Sequence, residues 1–249
     1  MAGHSKWANI QHRKGRVDAA RGKLWSKLSK AILVAAKSGG GDPAANLRLR
    51  KAIDDAKAVS MPKDNIERAI KRGTGELGGN EVEEVSYEGY GPGGVAVMCE
   101  TLTDNRNRTG PELRTIFSKL GGDIGKPGCV SYLFDRKGLF VLDRSAGEEK
   151  VTEIALENGG EDVETSDEGK LQVTCPPENY QDLADAFEAA GLTPEISEIT
   201  RLPQTTVDVD AATAKTVLQL LEQLDDHDDV QNVSTNLNIT DEMMAEETT

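Results

Sequence analysis

The sequence predicts an α+β multidomain fold: an N-terminal three-helix domain plus two ferredoxin-like α/β domains, one inserted in the other. Three observations carry this. Apolar residues recur at helical spacing through the first 75 residues, and Gly and Pro cut them into three segments. From Val82 onward, short strand-like runs alternate with helical stretches. Residues 138–201 complete a β-α-β-β-α-β order, the split βαβ unit, and leave unfinished strands on both sides that need each other. A chain of 249 residues accommodates two or three such units.

Residues 1–17 are polar and basic without sustained periodicity, which reads as an extended arm. Helix one is expected from about Asp18, a good N-cap, to Lys37, ahead of three glycines. Leu24, Leu28, Ala31, Ile32 and Ala35 share one face. Lys23, Lys27, Lys30 and Lys37 form a second stripe roughly 120° around the helix, interrupted by Val34. Helix two is expected to open with Asp42 as N-cap and Pro43 at its first position, with Ala45, Leu49, Ile53 and Ala56 inward. Helix three opens at Pro62, carries Asp64 in its first turn and ends at Gly73.

Residues 73–84 read as a linker. A hairpin is expected from Val82–Glu88 and Val95–Leu102. A Thr109-x-x-Glu112 capping box implies a helix from about Gly110 to Leu120, and Val130–Phe134 reads as a strand. The inserted unit has strands Gly138–Leu142, Glu161–Glu164, Lys170–Thr174 and Glu195–Thr200, with helices Glu148–Glu157 and Glu178–Ala190. A strand at Thr206–Val209, a helix at Ala211–Leu224 and a strand at Val230–Thr235 would complete the interrupted unit. The expected domains are 1–75, 80–135 plus 204–238, an inserted 136–203, and an acidic, disordered tail at 239–249.

The net charge of −14 conceals a segregation. Residues 1–75 carry 17 Lys or Arg against 6 Asp or Glu, a net of +11; the remainder carries 12 against 37, a net of −25. Phosphate contacts answer to charge within a Debye length, about 8–10 Å, so the basic end points to a polyanion. The expected nucleic-acid-binding residues are Lys6, Trp7, His12, Arg13, Lys14, Arg16, Arg21, Lys23, Lys27, Lys30, Arg48, Arg50 and Lys51. Trp7 and His12 are suited to stacking on an unpaired base, although Trp7 could equally pack on the helices; Trp25 reads as core. Replacing Lys23, Lys27 and Lys30 with Ala is expected to weaken binding and leave folding intact.

A second anion site is expected at Asn105, Arg106, Asn107 and Arg108, ahead of a helix N-terminus, against the alternative of a turn that caps its own backbone. The run Asp225-Asp226-His227-Asp228-Asp229 lacks the glycine and spacing of a calcium loop and reads as a solvated turn. Gly89-Tyr90-Gly91-Pro92-Gly93-Gly94 satisfies G-x-G-x-x-G, but a strand follows it, so it reads as a hairpin turn. Three scattered cysteines and three histidines provide no metal pattern, and no nucleophile motif occurs, so no enzyme activity, metal or cofactor is expected. No apolar run is long enough to span a bilayer, no small-molecule substrate is evident, and a cytoplasmic location is expected.

The opening GHSKWANIQHRKGRVDAARGKLWSKL resembles the YebC/PmpR family, as do DPAANLRLRKAIDDAK, MPKDNIERAIKRGTGEL, YEGYGPGGVAV, TDNRNRT and VSYLFDRKG, in the same order across residues 3–138. Departures are Gln11 in place of a basic residue, Trp25 in place of Phe and Leu47 in place of Pro. The resemblance implies a helical domain with two α/β domains, and a DNA-binding transcriptional regulator of the bacterial cytoplasm. Mitochondrial relatives act as translational activators, which keeps a ribosome- or rRNA-binding translation factor as the alternative. The expected partners are DNA, ribosomal RNA or both, with the acidic domains left to a protein partner.

Overall fold

The computed structural model describes residues 21–78, 81–166, 169–240 and 243. Three helices build the first unit: α1 (Arg21–Gly39), α2 (Leu47–Ala58) and α3 (Lys63–Gly73). Ile32, Ala35, Leu49, Ile53, Ala56, Ile66 and Ala69 meet in its core, with Trp25 and Leu28 packed against them. The expected start of α1 at Asp18 lies outside the described residues. Helix α2 begins later than Asp42 and Pro43 suggest. Asp42 caps only a turn, accepting from Ala44 N at 2.9 Å, and Ala45 is exposed. The cap of α2 is Asn46, which accepts from Leu49 N at 3.1 Å. Its buried amide also donates to Ala35 O and Gly40 O, both at 2.8 Å. One side chain thus caps α2 and closes the last turn of α1, and Gly39 leaves room for it: a Cβ there would lie 2.7 Å from the Asn46 amide.

A four-stranded antiparallel sheet follows, in the order β3-β1-β2-β8. Its strands are β1 (Glu83–Tyr90), β2 (Ala96–Thr103), β3 (Asp123–Ile124) and β8 (Val230–Thr235). The glycine-rich segment is the turn between β1 and β2, with Gly93 and Gly94 at φ of 71° and 76°. Helices α4 (Arg106–Lys119) and α7 (Ala211–Asp225) cover one face, where Val97, Cys99, Leu113, Phe117, Leu221 and Val233 form the core. The alternate residues of β2, Ala96 and Met98, pack on Val130 and Phe134 across the other face. Strand β2 is therefore buried on both sides.

Of the Val130–Phe134 run only Phe134 is strand, as the first residue of the next one; Val130–Leu133 is not. The buried carboxylate of Glu88 accepts from Gly128 N, Val130 N and Ser131 N at 2.8–2.9 Å, and this winds the segment into a turn. Helix α4 starts at Arg106, four residues before the capping box predicts, because Asn105 caps it by accepting from Arg108 N. Thr206–Val209 makes one parallel bridge, Val207 to Leu237, rather than a strand. Ile239 is buried in the core and Met243 packs on it, so these described residues of the expected disordered tail are folded.

The second sheet lies between β3 and α7 in sequence and comprises β4 (Phe134–Leu142), β5 (Asp162–Thr165), β6 (Leu171–Cys175) and β7 (Ile196–Pro203). Its antiparallel order, β5-β6-β4-β7, with α5 (Glu148–Glu157) and α6 (Tyr180–Ala189), is the ferredoxin-like arrangement. Phe140 stacks on Tyr180 at 4.9 Å and meets Phe187 edge-on at 5.3 Å beneath the helices. The sheets are joined by Arg201 to Glu100 at 2.9 Å and by Asn232 Nδ2 donating to Thr200 Oγ1 at 3.1 Å.

Candidate nucleic-acid interface

The lysine stripe of α1 lies towards the acidic part of the chain: Lys27 and Lys30 are half-buried, and Lys23 and Lys37 stay exposed. Leu33 and Val34 pack on Val82 and Leu102 of the first α/β unit, which accounts for the valine that interrupts the stripe. On the same side the lysines reach the turn after α7. Lys23 donates to Asp226 O at 3.3 Å, Lys27 to Asp225 O, and Lys30 to Asp228 O at 2.9 Å. Lys30 also pairs with the Asp229 carboxylate at 2.5 Å. The Asp225–Asp229 turn, expected to be solvated, is therefore the anionic partner of the stripe.

Asp229 sits at the centre of this contact with its side chain 1% exposed. Its second oxygen accepts from Arg108 at 2.7 Å and from the Thr109 hydroxyl at 2.5 Å. The Thr103 hydroxyl donates to Thr109 at 2.7 Å while accepting from Asn105 N at 3.0 Å, which gives each hydroxyl proton one destination. Burial alone would raise the Asp229 carboxyl, but hydrogen bonds from Lys30, Thr109 and Arg108, with the Lys30 charge, hold it well below the usual carboxylate range. The segment Thr103–Thr109 thus grips an anion, and that anion is the chain's own Asp229. Asn105 caps α4, Arg106 pairs with Glu83 at 3.5 Å, and Asn107 is exposed. The other half of the interaction, an aspartate more than a hundred residues away, was invisible in the local motif.

The remaining predicted cations are distributed differently. Arg48 pairs with Glu84 at 2.7 Å, and Arg50 donates to Pro43 O and Ala44 O at 3.2 Å. Lys51 meets Asp55 at 2.6 Å. Burial pulls Lys51 down, yet Tyr180, Asp55 and Glu198 around it more than offset that and leave its pKa raised. Arg21 opens α1. Lys6, Trp7, His12, Arg13, Lys14 and Arg16 lie outside the described residues. Because Lys30 is tied to a buried carboxylate, exchanging Lys23, Lys27 and Lys30 together is expected to lower stability as well as remove charge.

Two open cavities flank the contact. One, of about 720 Å³, lies over the acidic turn between α1 and α4, lined by Lys23, Arg108, Glu112, Asp226 and Asp228. The other, of about 440 Å³, runs between α1 and α3 and has the opposite character: Trp25, Ser26, Ser29, Asn65, Arg68 and Arg72 line it. Arg68 and Arg72 are exposed and have no side-chain partner among the described residues. Asn65, Arg68 and Arg72 fall on one face of α3 at i, i+3 and i+7, a spacing readable from sequence but less conspicuous than the denser lysines of α1. Trp25 packs on the helical core as expected, its Nε1 donating to Val59 O at 3.3 Å.

Residues 5–76 match the model for the TACO1/YebC protein N-terminal domain, and residues 82–237 match that for the TACO1/YebC second and third domain. The chain belongs to the TACO1/YebC family. A probable transcriptional regulatory protein of Rhodopirellula baltica is 71% identical to this YebC-family chain, over 99% of the chain and all of the relative. One of Maridesulfovibrio salexigens, of the same description, is 54% identical over 99% of each. The crystal structure of a conserved hypothetical protein of Aquifex aeolicus superposes with a TM-score of 0.85 at 48% identity, covering 94% of this chain and 97% of that one. The curated YebC-family relatives thus carry a regulatory description. Among the described residues of this member, no helix is long and apolar enough to cross a membrane, and no cluster of three metal-ligating side chains occurs.

Proposed function

We propose that this chain is a nucleic-acid-binding regulator of gene expression that acts on DNA in the cytoplasm, through the N-terminal arm and the groove between α1 and α3. The observation that carries the reading is that groove. Arg68 and Arg72 stand exposed along it, and the sequence ahead of α1 adds Lys6, Arg13, Lys14 and Arg16 to the cations of this unit. Guanidinium and ammonium groups so placed neutralise phosphates and release counterions. Trp7 and His12 lie among the arm's cations, where they serve as stacking groups. The regulatory description of the relatives supports the same reading. Lys23, Lys27 and Lys30 contribute to binding only in competition with the acidic turn, and the 105–108 segment, whose arginines are paired with Glu83 and Asp229, contributes the uncharged exposed amide of Asn107. The working division is a helical domain at 1–75, an α/β domain at 80–135 plus 204–238, and an inserted domain at 136–203. The acidic α/β domains are left to a protein partner, and the role is one of binding without catalysis or cofactor.

One observation favours the second reading, an rRNA-binding translation factor. The half-buried Asn65 amide and the exposed guanidinium groups line a groove between helices, whereas major-groove readers project a recognition helix. Footprinting over genomic promoters at physiological salt tests the choice, alongside sedimentation of cell lysate through sucrose. Protection of particular promoters supports the DNA reading. Absence of any protected promoter, with the protein travelling in ribosomal fractions, moves the function to RNA.

A further inference from the structure

We infer that the groove between α1 and α3 is a pocket for one unstacked nucleotide of the bound strand; this rests on the nucleic-acid reading above and specifies what that surface holds. Its volume of about 440 Å³ falls in the range of small-ligand sites, roughly 300–1,000 Å³. The lining offers each part of a nucleotide a matching group. Trp25 supplies an aromatic wall, and its indole is fixed from behind by the bond from Nε1 to Val59 O at 3.3 Å. Stacking on such a ring tolerates any base.

The Asn65 amide and the Ser26 and Ser29 hydroxyls have no side-chain partners among the described residues, so they are available to a base edge. One and two turns further along α3, Arg68 and Arg72 stand where the flanking phosphates would pass. The acid at the far end, Asp104, already meets Arg108 at 3.3 Å and does not oppose an incoming phosphate with an uncompensated charge. A base held in a duplex cannot enter a groove walled by two helices, whereas a bulged, looped or extruded one can.

The experiment is fluorescence anisotropy of the full chain at physiological salt with three probes: a paired DNA duplex, the same duplex with one unpaired nucleotide, and the RNA counterpart of the bulged duplex. The expected result is about tenfold tighter binding to a bulged probe than to the paired duplex, within what one stacked base supplies. The bulged probe that shows the preference identifies the strand type. Asn65→Ala and Arg68→Ala each abolish most of that preference while leaving the far-UV circular dichroism and melting temperature unchanged; both side chains project from the core. Equal binding of paired and bulged probes overturns the pocket but leaves nucleic-acid binding standing. A preference untouched by both variants also overturns it. Failure to bind any probe overturns the functional reading together with the pocket.

Discussion

Replacing Lys30 with Ala should cost this protein about 2–3 kcal/mol, although Lys→Ala on a helix surface is ordinarily close to neutral. The difference lies in the partner. Lys30 Nζ is 2.5 Å from an Asp229 carboxylate whose side chain is 1% exposed, and it also donates to Asp228 O. Stranding a buried charge costs about 3–5 kcal/mol. Arg108 and Thr109 stay on the other carboxylate oxygen, so the Lys30 deficit falls below that range. Asp229→Asn should cost at least as much, because it leaves both Lys30 and Arg108 facing a neutral amide. Lys57→Ala is the control: its pair with Asp54 at 3.0 Å is 65% and 57% exposed, and it should change stability by no more than about 0.5 kcal/mol. Urea denaturation at pH 7 reads all three. The carboxyl of Asp229 is depressed in the fold below its ordinary value of 3.8. Its contribution is therefore present above that pH and lost as the pH falls through the folded-state pKa. The Lys30→Ala deficit should persist in 0.5 M salt, which screens exposed pairs more than buried ones. A Lys30→Ala protein no less stable than Lys57→Ala would refute the reasoning.

Glu198 should behave in the opposite sense: burial pushes its carboxyl up to about 6, against the pull of Lys51. The stability tied to its protonated form is complete below about 4.5 and lost as pH rises towards 6, so Glu198→Gln should gain up to about 2 kcal/mol at pH 7 and nothing at pH 4, read by thermal melts at both. Glu88→Ala leaves the amides of Gly128, Val130 and Ser131 without their acceptor, at roughly 1–3 kcal/mol for each that stays buried, and should speed hydrogen exchange at Val130 and Ser131; unchanged exchange would count against the wrapped turn. DNA binding should show a log–log salt slope no steeper than about −6, the sum over seven cations at roughly 0.9 each: Lys6, Arg13, Lys14, Arg16, Arg68, Lys71 and Arg72. A slope near −9 would mean that Lys23, Lys27 and Lys30 leave the acidic turn to join the ligand.

The parts of the fold legible in the sequence were those set by local periodicity and capping. Strand β8 has its expected bounds, α5 its expected ten residues, and α3 its Pro62 and Gly73 limits. The misplacements share a cause: a side chain answering a distant partner. Asn46 looks like one polar residue among several until Ala35 O and Gly40 O are seen beside it, and only then does it outrank Asp42 as the cap. Val130–Phe134 has a strand's composition, but the Glu88 carboxylate competes successfully for its amides. At the candidate site, the Thr103–Thr109 segment was recognisable as an anion binder from its donors alone. That its anion is Asp229 was not, because acceptor and donors are 120 residues apart.

The segregation of charge, +11 against −25, has two physical origins in one chain. Part of it is an internal attraction. Lys23, Lys27 and Lys30 meet the acidic turn, Lys37 meets Glu81 at 3.4 Å, Arg48 meets Glu84, and Lys51 lies beside Glu198. These contacts hold the helical unit against the acidic body, so an excess of cations in sequence overstates the charge free to bind phosphate. A polyanion that needed those lysines would first have to displace carboxylates held at short range, one of them buried, and that exchange releases fewer condensed counterions than capture by free cations. Among the described residues, Arg68, Lys71 and Arg72 on the open side of α3 are cations without such contacts. On the proposed reading, the same acidic turn that ties the two units together occupies the lysine stripe and leaves the α1–α3 groove, with Arg68 and Arg72, as the described surface open to a polyanion.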